Sequence, residues 1–378
     1  MNETKYHTII IGGGIAGLAC ARQLNKNGEE FLLVSKDIGG RIKTSMDGNA
    51  NYGAFFVCSD YQNVNKYATL KNRIHLSDFC FHEKQDTYVL FQPELILYLK
   101  QFIKTYKLLV KFRKHLRQMR EKCEIQSQKE VIKQDSFLHK LYMQKADDFI
   151  NEQKINTGTE KYLSKALYST TFSKTSEMNA FSFLQFLIPL VTPIYRFKFE
   201  FEKITKPFKE NIKIDEVIDI KNVDKQYKIK TKKQIYKSKN LVLATEINWS
   251  QKYTDVKNFN KPVNTKMLHI KGRAKKILSK RKYHLFTPPG NVQAVANLED
   301  ETYLFYYKNQ LPDLNEFFEN PKILGKKEWV PAGTINGHNL VECNQGNNKY
   351  LIGDYNIAGL EETFITGIFC ANKIIQIK

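Results

Sequence analysis

A glycine turn near the N-terminus, GGGIAG (12–17), stands between two segments of opposite periodicity, and it constrains the fold more than any other stretch of the chain. Before it, YHTIII (6–11) is β-branched and apolar on both faces, as suits a strand buried inside a parallel sheet. After it, Leu18, Cys20 and Leu24 form one apolar stripe of a predicted helix, with Gly28 as its stop. A second strand over 30–34 completes a βαβ unit of about 30 residues. Gly12, Gly14 and Gly17 complete G-x-G-x-x-G, which lets the chain turn tightly, lets backbone amides approach a pyrophosphate, and lets helix and strand pack closely. The helix N-terminus adds positive potential, so a dinucleotide is expected against Gly12, Gly14, Ile15, Ala16 and Gly17.

One expected element is missing. The end of the second strand commonly carries an acid that binds the adenosine ribose, and Ser35 stands there instead. A serine hydroxyl can exchange uncharged hydrogen bonds with a ribose. Asp37 is a second candidate for that contact, reaching in from the adjoining loop, while Lys36 would suit a 2'-phosphate and keeps NADP open.

The residues after this strand separate the cofactors. GGRIKT (39–44) places two glycines and an arginine where a simple nicotinamide enzyme has no need of them. GGRxxT after a GxGxxG unit resembles the flavin-dependent amine oxidase superfamily, which includes monoamine and polyamine oxidases, protoporphyrinogen oxidase and phytoene desaturase-like enzymes. The resemblance implies an α/β fold, a Rossmann-like FAD-binding domain with an interleaved α+β substrate domain. It places Arg41 along the FAD pyrophosphate, with Gly39 and Gly40 letting the chain pass close to the flavin. NYGAFFV (51–57) is similar to the family's glycine-alanine segment beside the flavin ring, implying contacts from Gly53, Ala54 and Phe55. LVLATE (241–246) is similar to the strand that returns to the flavin domain and brings Ala244 to the cofactor; by the same analogy the backbone of Val217 meets the adenine. YLIGDYNIAGLEETFITGIFCANKI (350–374) resembles the closing motif, in which Asp354 meets the ribitol and a helix opens under the flavin through Leu360, Glu361 and Thr363. The family usually has small residues where Glu362 and Thr363 stand. These matches assign 1–60, 195–250 and 325–378 to the FAD-binding domain, and 61–194 and 251–324 to the substrate domain.

The rest of the chain narrows the partners. A length of 378 residues suggests two packed domains. The formal charge of +20 suits an anionic surface, or simply reflects abundant Lys, Asn and Ile; no nucleic-acid motif accompanies it. Six scattered cysteines and eight histidines show no metal-ligand spacing, so no metal is expected, and a reducing, cytoplasmic setting is inferred from the cysteines and from the lack of a recognisable signal peptide or membrane span. Residues 93–152 read as helical and become densely basic over 107–122, a pattern that allows peripheral contact with an anionic membrane. The aromatic run at 179–200 suits either a substrate tunnel or plain core packing. The expected activity is FAD-dependent oxidation by hydride transfer from a C–N or C–C bond of a small or lipid-like substrate to flavin N5, with no catalytic side chain identified. The alternatives are a desaturase-like enzyme on an apolar substrate, a flavin-binding scaffold without turnover, and an NAD(P)-binding protein.

Overall fold

The structure, a computed structural model, describes residues 4–45, 48, 50–83, 86–278, 281–288 and 290–376. Its first sheet explains the apolar run before the glycines. Strand Thr4–Gly13 lies in the middle of the order Ile212–Ile214, Phe31–Ile38, Thr4–Gly13, Ile235–Leu243, Gln226–Thr231, Val217–Val223, parallel to both of its neighbours. Lys349–Leu351 pairs with the far end of Ile235–Leu243. Both faces are covered. Ile10, Leu33 and Val242 pack under helices Ile15–Lys26 and Leu360–Gln376, while Ile9, Leu32 and Leu241 form a second core with Tyr227, Tyr236 and Ile247.

The two helices touch at a glycine. A Cβ on Gly367 would stand 2.2 Å from the carbonyl oxygen of Ala16. This close approach holds the N-terminal ends of both helices at one edge of the sheet, where the ligand crevice of an α/β fold lies.

Several elements differ from the sequence expectation. The second strand runs Phe31–Ile38, so Ser35 and Asp37 lie within it and not after it. The segment 212–220 is two strands: Ile212–Ile214 joins the second strand, and Val217–Val223 lies at the opposite edge. The helical stretch begins as a 3-10 turn at Pro93–Tyr98, continues as Leu99–Lys122, and then breaks into short helices. The breaks fall where capping side chains offer the backbone a new start: Ser127 with Glu130 ahead of Gln128–Gln134, and Asp135 ahead of Ser136–Met143. The run at 179–200 is divided between helix Ala180–Leu187, capped by Asn179, and strand Ile194–Phe199.

A second, seven-stranded sheet has the order Phe318–Asn336, Lys261–Ala274, Thr302–Tyr307, Val292–Glu299, Tyr283–Phe286, Phe79–Glu83, Asp86–Val89. It is antiparallel except where Tyr283–Phe286 runs parallel to Phe79–Glu83. One face of this sheet packs with helices Leu99–Lys122 and Ala180–Leu187 into a large core.

Candidate cofactor and substrate site

The glycine turn opens one end of a long cleft of about 670 Å³. Gly12 has φ +113°, and a Cβ there would lie 2.4 Å from the Ala244 carbonyl oxygen; one on Gly17 would lie 2.0 Å from that of Gly12. Both glycines are demanded by the protein's own packing. Gly14 is different: it lines the cleft, and a Cβ there would meet nothing within 4 Å. Helix Ile15–Lys26 begins beside it with no capping side chain and no acid in its first turn, so its leading amides face the cleft without a protein acceptor from a cap.

Ser35 serves this turn. Its hydroxyl accepts from the Gly13 amide at 2.9 Å and donates to the Asp37 carbonyl at 2.7 Å. The carboxylate nearest the expected ribose position belongs to Asp37, which lines the cleft and is bonded by Lys43. Lys36 pairs with Glu216 at 2.7 Å and is not among the residues lining the cleft, so the cation that kept NADP open is engaged elsewhere.

Beyond Ile38 the chain turns at Gly39 (φ +114°) and Gly40 (φ +53°), and a Cβ on Gly40 would come within 3.1 Å of the Gly14 Cα. Arg41 then reaches the middle of the cleft. Its Nη1 donates to Asp354 Oδ2 at 2.7 Å and to the Ala332 carbonyl at 3.1 Å; its Nη2 donates to Asp354 Oδ1 at 2.5 Å. Asp354 also accepts from the Thr334 amide at 3.1 Å. Burial pushes the Asp354 carboxyl up, but the charge and hydrogen bonds of Arg41 hold it net below the usual carboxylate range. The family resemblance assigns this arginine to a pyrophosphate and this aspartate to a ribitol; here they hold each other.

At the far end, Gly53 passes close to Arg41, whose carbonyl oxygen would be 2.0 Å from a Cβ there, and the Ala54 amide donates to that carbonyl at 3.1 Å. Gly53, Ala54, Phe55, Ala244, Leu360 and Thr363 all line the cleft, with Gly39 and Gly40 toward its other end. Gly17, Val217 and Glu361 do not. Val217 is buried where it pairs with Thr231. The Glu361 carboxylate turns away to accept from the amides of Gln62, Asn63 and Val64 at 2.8–3.0 Å. Glu362, buried beside it, accepts from Arg120 Nε at 2.9 Å and Nη2 at 2.7 Å. These two acids fasten the N-terminal turn of the C-terminal helix to the loop before Val64 and to the basic helix. A small residue at either position could not.

An aromatic pocket adjoins this end. Phe55, Phe56, Phe79, Phe172, Tyr283 and Tyr306 line it, with Thr265 and Gln185 as polar groups. The Thr265 hydroxyl donates to Gln293 at 2.9 Å, and Trp329 Nε1 donates to the Tyr52 carbonyl at 3.1 Å. Among the described residues each carboxylate on the cleft has a partner: Asp354 pairs with Arg41, Asp37 with Lys43 and Glu328 with Lys266 at 3.7 Å, and Glu246 accepts from the Asn248 amide at 2.6 Å.

Known proteins share this fold. The NAD(P)-binding Rossmann-like domain matches residues 10–69. A putrescine oxidase carrying three substitutions in its cofactor site superposes with a TM-score of 0.70 over 100% of both chains, at 11% identity. A fatty acid isomerase from P. acnes that produces CLA gives 0.69 over 98% of both chains at 13% identity, and cyclohexylamine oxidase from Brevibacterium oxydans gives 0.64 over 98% of both at 12%. No curated protein sequence matches the chain.

The chain shares the fold of these oxidases and of the isomerase.

On this fold the residues present fit FAD. The uncapped helix N-terminus and the open space over Gly14 suit a diphosphate, Asp37 stands at the ribose end, and the ring end of the cleft is flanked by Gly53–Phe55 and the turn at Leu360. Gly14, Ile15, Ala16, Arg41 and Thr363 would hold the cofactor. Sequence reasoning missed Phe79, Phe172, Tyr283 and Thr265. They come from separate strands and a loop; the sign of a pocket in the sequence was the aromatic run at 179–200, which supplies Gln185, Phe186 and Pro189 to the lining.

Proposed function

We propose that the chain is an FAD-dependent oxidoreductase acting on an apolar substrate, either a hydrophobic amine or a C–C bond of a lipid-like molecule. One observation carries this reading: a single cleft joins an anion-receptive glycine turn to an aromatic pocket, with the two wall segments Gly53–Phe55 and Gly359–Leu360 between them. Bound FAD would supply the hydride acceptor. The chain's own residues bind and orient: Phe55, Phe56, Tyr283 and Tyr306 exclude water and hold an apolar group, and Thr265 and Gln185 offer hydrogen bonds. The test is direct. Purified protein, reconstituted with FAD if necessary, should be yellow and should bleach anaerobically with hydrophobic amines or unsaturated fatty acids; failure to take up FAD at all would overturn the reading.

The same reading extends to where the substrate is met. Helix Leu99–Lys122 buries one stripe, including Leu109, Phe112 and Leu116, and exposes another, Leu99, Ile103, Tyr106 and Val110, at a spacing that keeps them on one face. Ile96 and Leu97, 73% and 75% exposed, extend the patch, and Lys100, Lys104 and Lys107 run beside it. An apolar stripe flanked by a lysine row suits an anionic bilayer surface. Flotation with phosphatidylglycerol vesicles but not with phosphatidylcholine vesicles, abolished by Leu97→Asp, is the expected result; equal flotation with both or with neither would remove the proposal. No described helix is long and apolar enough to cross a membrane.

A further inference from the structure

The face of the second sheet turned away from the cleft carries a cluster that the oxidoreductase reading does not use. Strands Phe79–Glu83 and Tyr283–Phe286 are neighbours, with His284 opposite Cys80 and Phe286 opposite His82. Residues alternate across a sheet, so Phe79, Tyr283 and Leu285 face the cleft and Cys80, His82 and His284 face the other way. The Cys80 sulfur and one ring nitrogen of each histidine lie within 4.8 Å of one another, and all three residues are buried.

The hydrogen bonds fix the protons. His284 Nε2 stands 3.0 Å from the Arg281 carbonyl, which can only accept, so Nε2 carries the proton and Nδ1 carries the lone pair. His284 Nδ1 is 2.9 Å from His82 Nε2, which must then donate to it. This is the outer-shell arrangement of a ligating histidine: one ring N–H anchored on a backbone carbonyl, the other nitrogen aimed at a shared point. The His82 ring is held in place by stacking on Phe286, with centroids 4.3 Å apart. Metal–imidazole bonds of about 2.0 Å put two ligating nitrogens roughly 3.3–3.5 Å apart, so the pair needs to open by only about half an ångström.

We infer that Cys80, His82 and His284 form a binding site for a soft monovalent cation, Cu⁺. Charge selects the metal. One thiolate and two neutral imidazoles around Cu⁺ make a neutral complex, whereas Zn²⁺ would leave a net positive charge among buried residues and would lack a fourth protein ligand among the described side chains. On binding, Cys80 releases its thiol proton to solvent and forms the sulfur–metal bond. His82 moves its proton from Nε2 to Nδ1 and frees Nε2 to ligate. No electron is transferred. The metal would clip together two strands whose histidines are 202 residues apart in sequence.

The test uses the full-length protein. Anaerobic Cu⁺ titration against a chromophoric Cu⁺ chelator should show one equivalent withdrawn per chain, with a thiolate-to-metal absorption band in the ultraviolet and a higher unfolding midpoint. Cys80→Ser should remove the band and weaken Cu⁺ retention at least tenfold, and should leave FAD uptake unchanged because the cluster faces away from the cleft. No withdrawal from the chelator by the wild-type protein would overturn the assignment, as would unchanged Cu⁺ binding in a Cys80→Ser variant with an intact far-ultraviolet spectrum. Tighter uptake of Zn²⁺ than of Cu⁺ would overturn the charge argument that selects the metal.

Discussion

Arg41 and Asp354, 313 residues apart in the chain, meet in the cleft as a two-point ion pair, with Nη1–Oδ2 at 2.7 Å and Nη2–Oδ1 at 2.5 Å. The pair joins the turn after the second strand to the turn before the C-terminal helix, and so fixes the spacing of these two walls of the cleft. Removing one partner of a largely buried pair leaves the other uncompensated.

Asp354→Asn is therefore expected to lower stability by about 2–4 kcal/mol and to weaken FAD binding, read by urea denaturation and flavin titration. The pH behaviour is set by the sign of the shift. The carboxyl sits below its ordinary value, so its contribution is fully present above the unfolded pKa, about 3.9, and is lost as pH falls through the lower folded value. The destabilisation by Asp354→Asn should thus be the same at pH 6 and pH 8 and should shrink only in strong acid. A loss that grew between pH 6 and pH 8 would contradict the assignment.

Gly14 separates binding from folding. Its φ of −76° is open to any residue, and a Cβ there would enter the cleft without touching protein. Gly14→Val should keep wild-type stability in the absence of FAD and lose FAD affinity by at least tenfold, about 1.4 kcal/mol. Gly17→Ala should do the reverse, unfolding the protein early whether or not FAD is added, because its Cβ would strike the Gly12 carbonyl.

Ser35 has a narrower task than its place in the sequence suggests. An acid there is expected to tighten the ribose, yet the hydroxyl is occupied on both sides by Gly13 and Asp37. Ser35→Ala is expected to cost about 1 kcal/mol by freeing the Gly13 amide, and Ser35→Glu to weaken FAD binding. Asp37→Ala should weaken it as well while leaving the apo-protein's stability within about 0.5 kcal/mol. Isothermal titration of the three variants with FAD distinguishes these roles.

Local pattern made the first half of this site legible. The βαβ unit announces itself because strand, turn and helix are contiguous and each glycine answers a clash nearby. The GGR turn and the closing motif were legible through resemblance, which placed Arg41 and Asp354 at the cofactor without revealing that they bond each other. Pairing across 313 residues leaves no trace in local periodicity. The joining of Phe79 and Tyr283 in the aromatic pocket and the Cys80–His82–His284 cluster were illegible for the same reason: their members sit on strands whose adjacency is a fact of topology. Glu361 and Glu362 show a further limit. The resemblance set the helix opening at Glu361 against the flavin, whereas the Glu361 and Glu362 side chains reach back to the 62–64 amides and to Arg120.

That last contact gives a final test. Arg120 is 11% exposed, Glu362 is fully buried, and Asp60 lies 3.7 Å from Arg120, so the arginine ties the basic helix to the C-terminal helix beside the cleft. Burial by itself would lower the arginine's pKa, but Glu362 and its neighbours raise it on balance, so the arginine keeps its charge at every working pH. Glu362→Ala or Arg120→Ala alone should each destabilise by about 3–5 kcal/mol, since each strands a buried charge. The double change Arg120→Met with Glu362→Leu removes both charges and fills the space, and it should recover most of that loss. A double-mutant cycle by chemical denaturation measures the coupling. Single-variant losses that simply add in the double variant would show that the two side chains act independently.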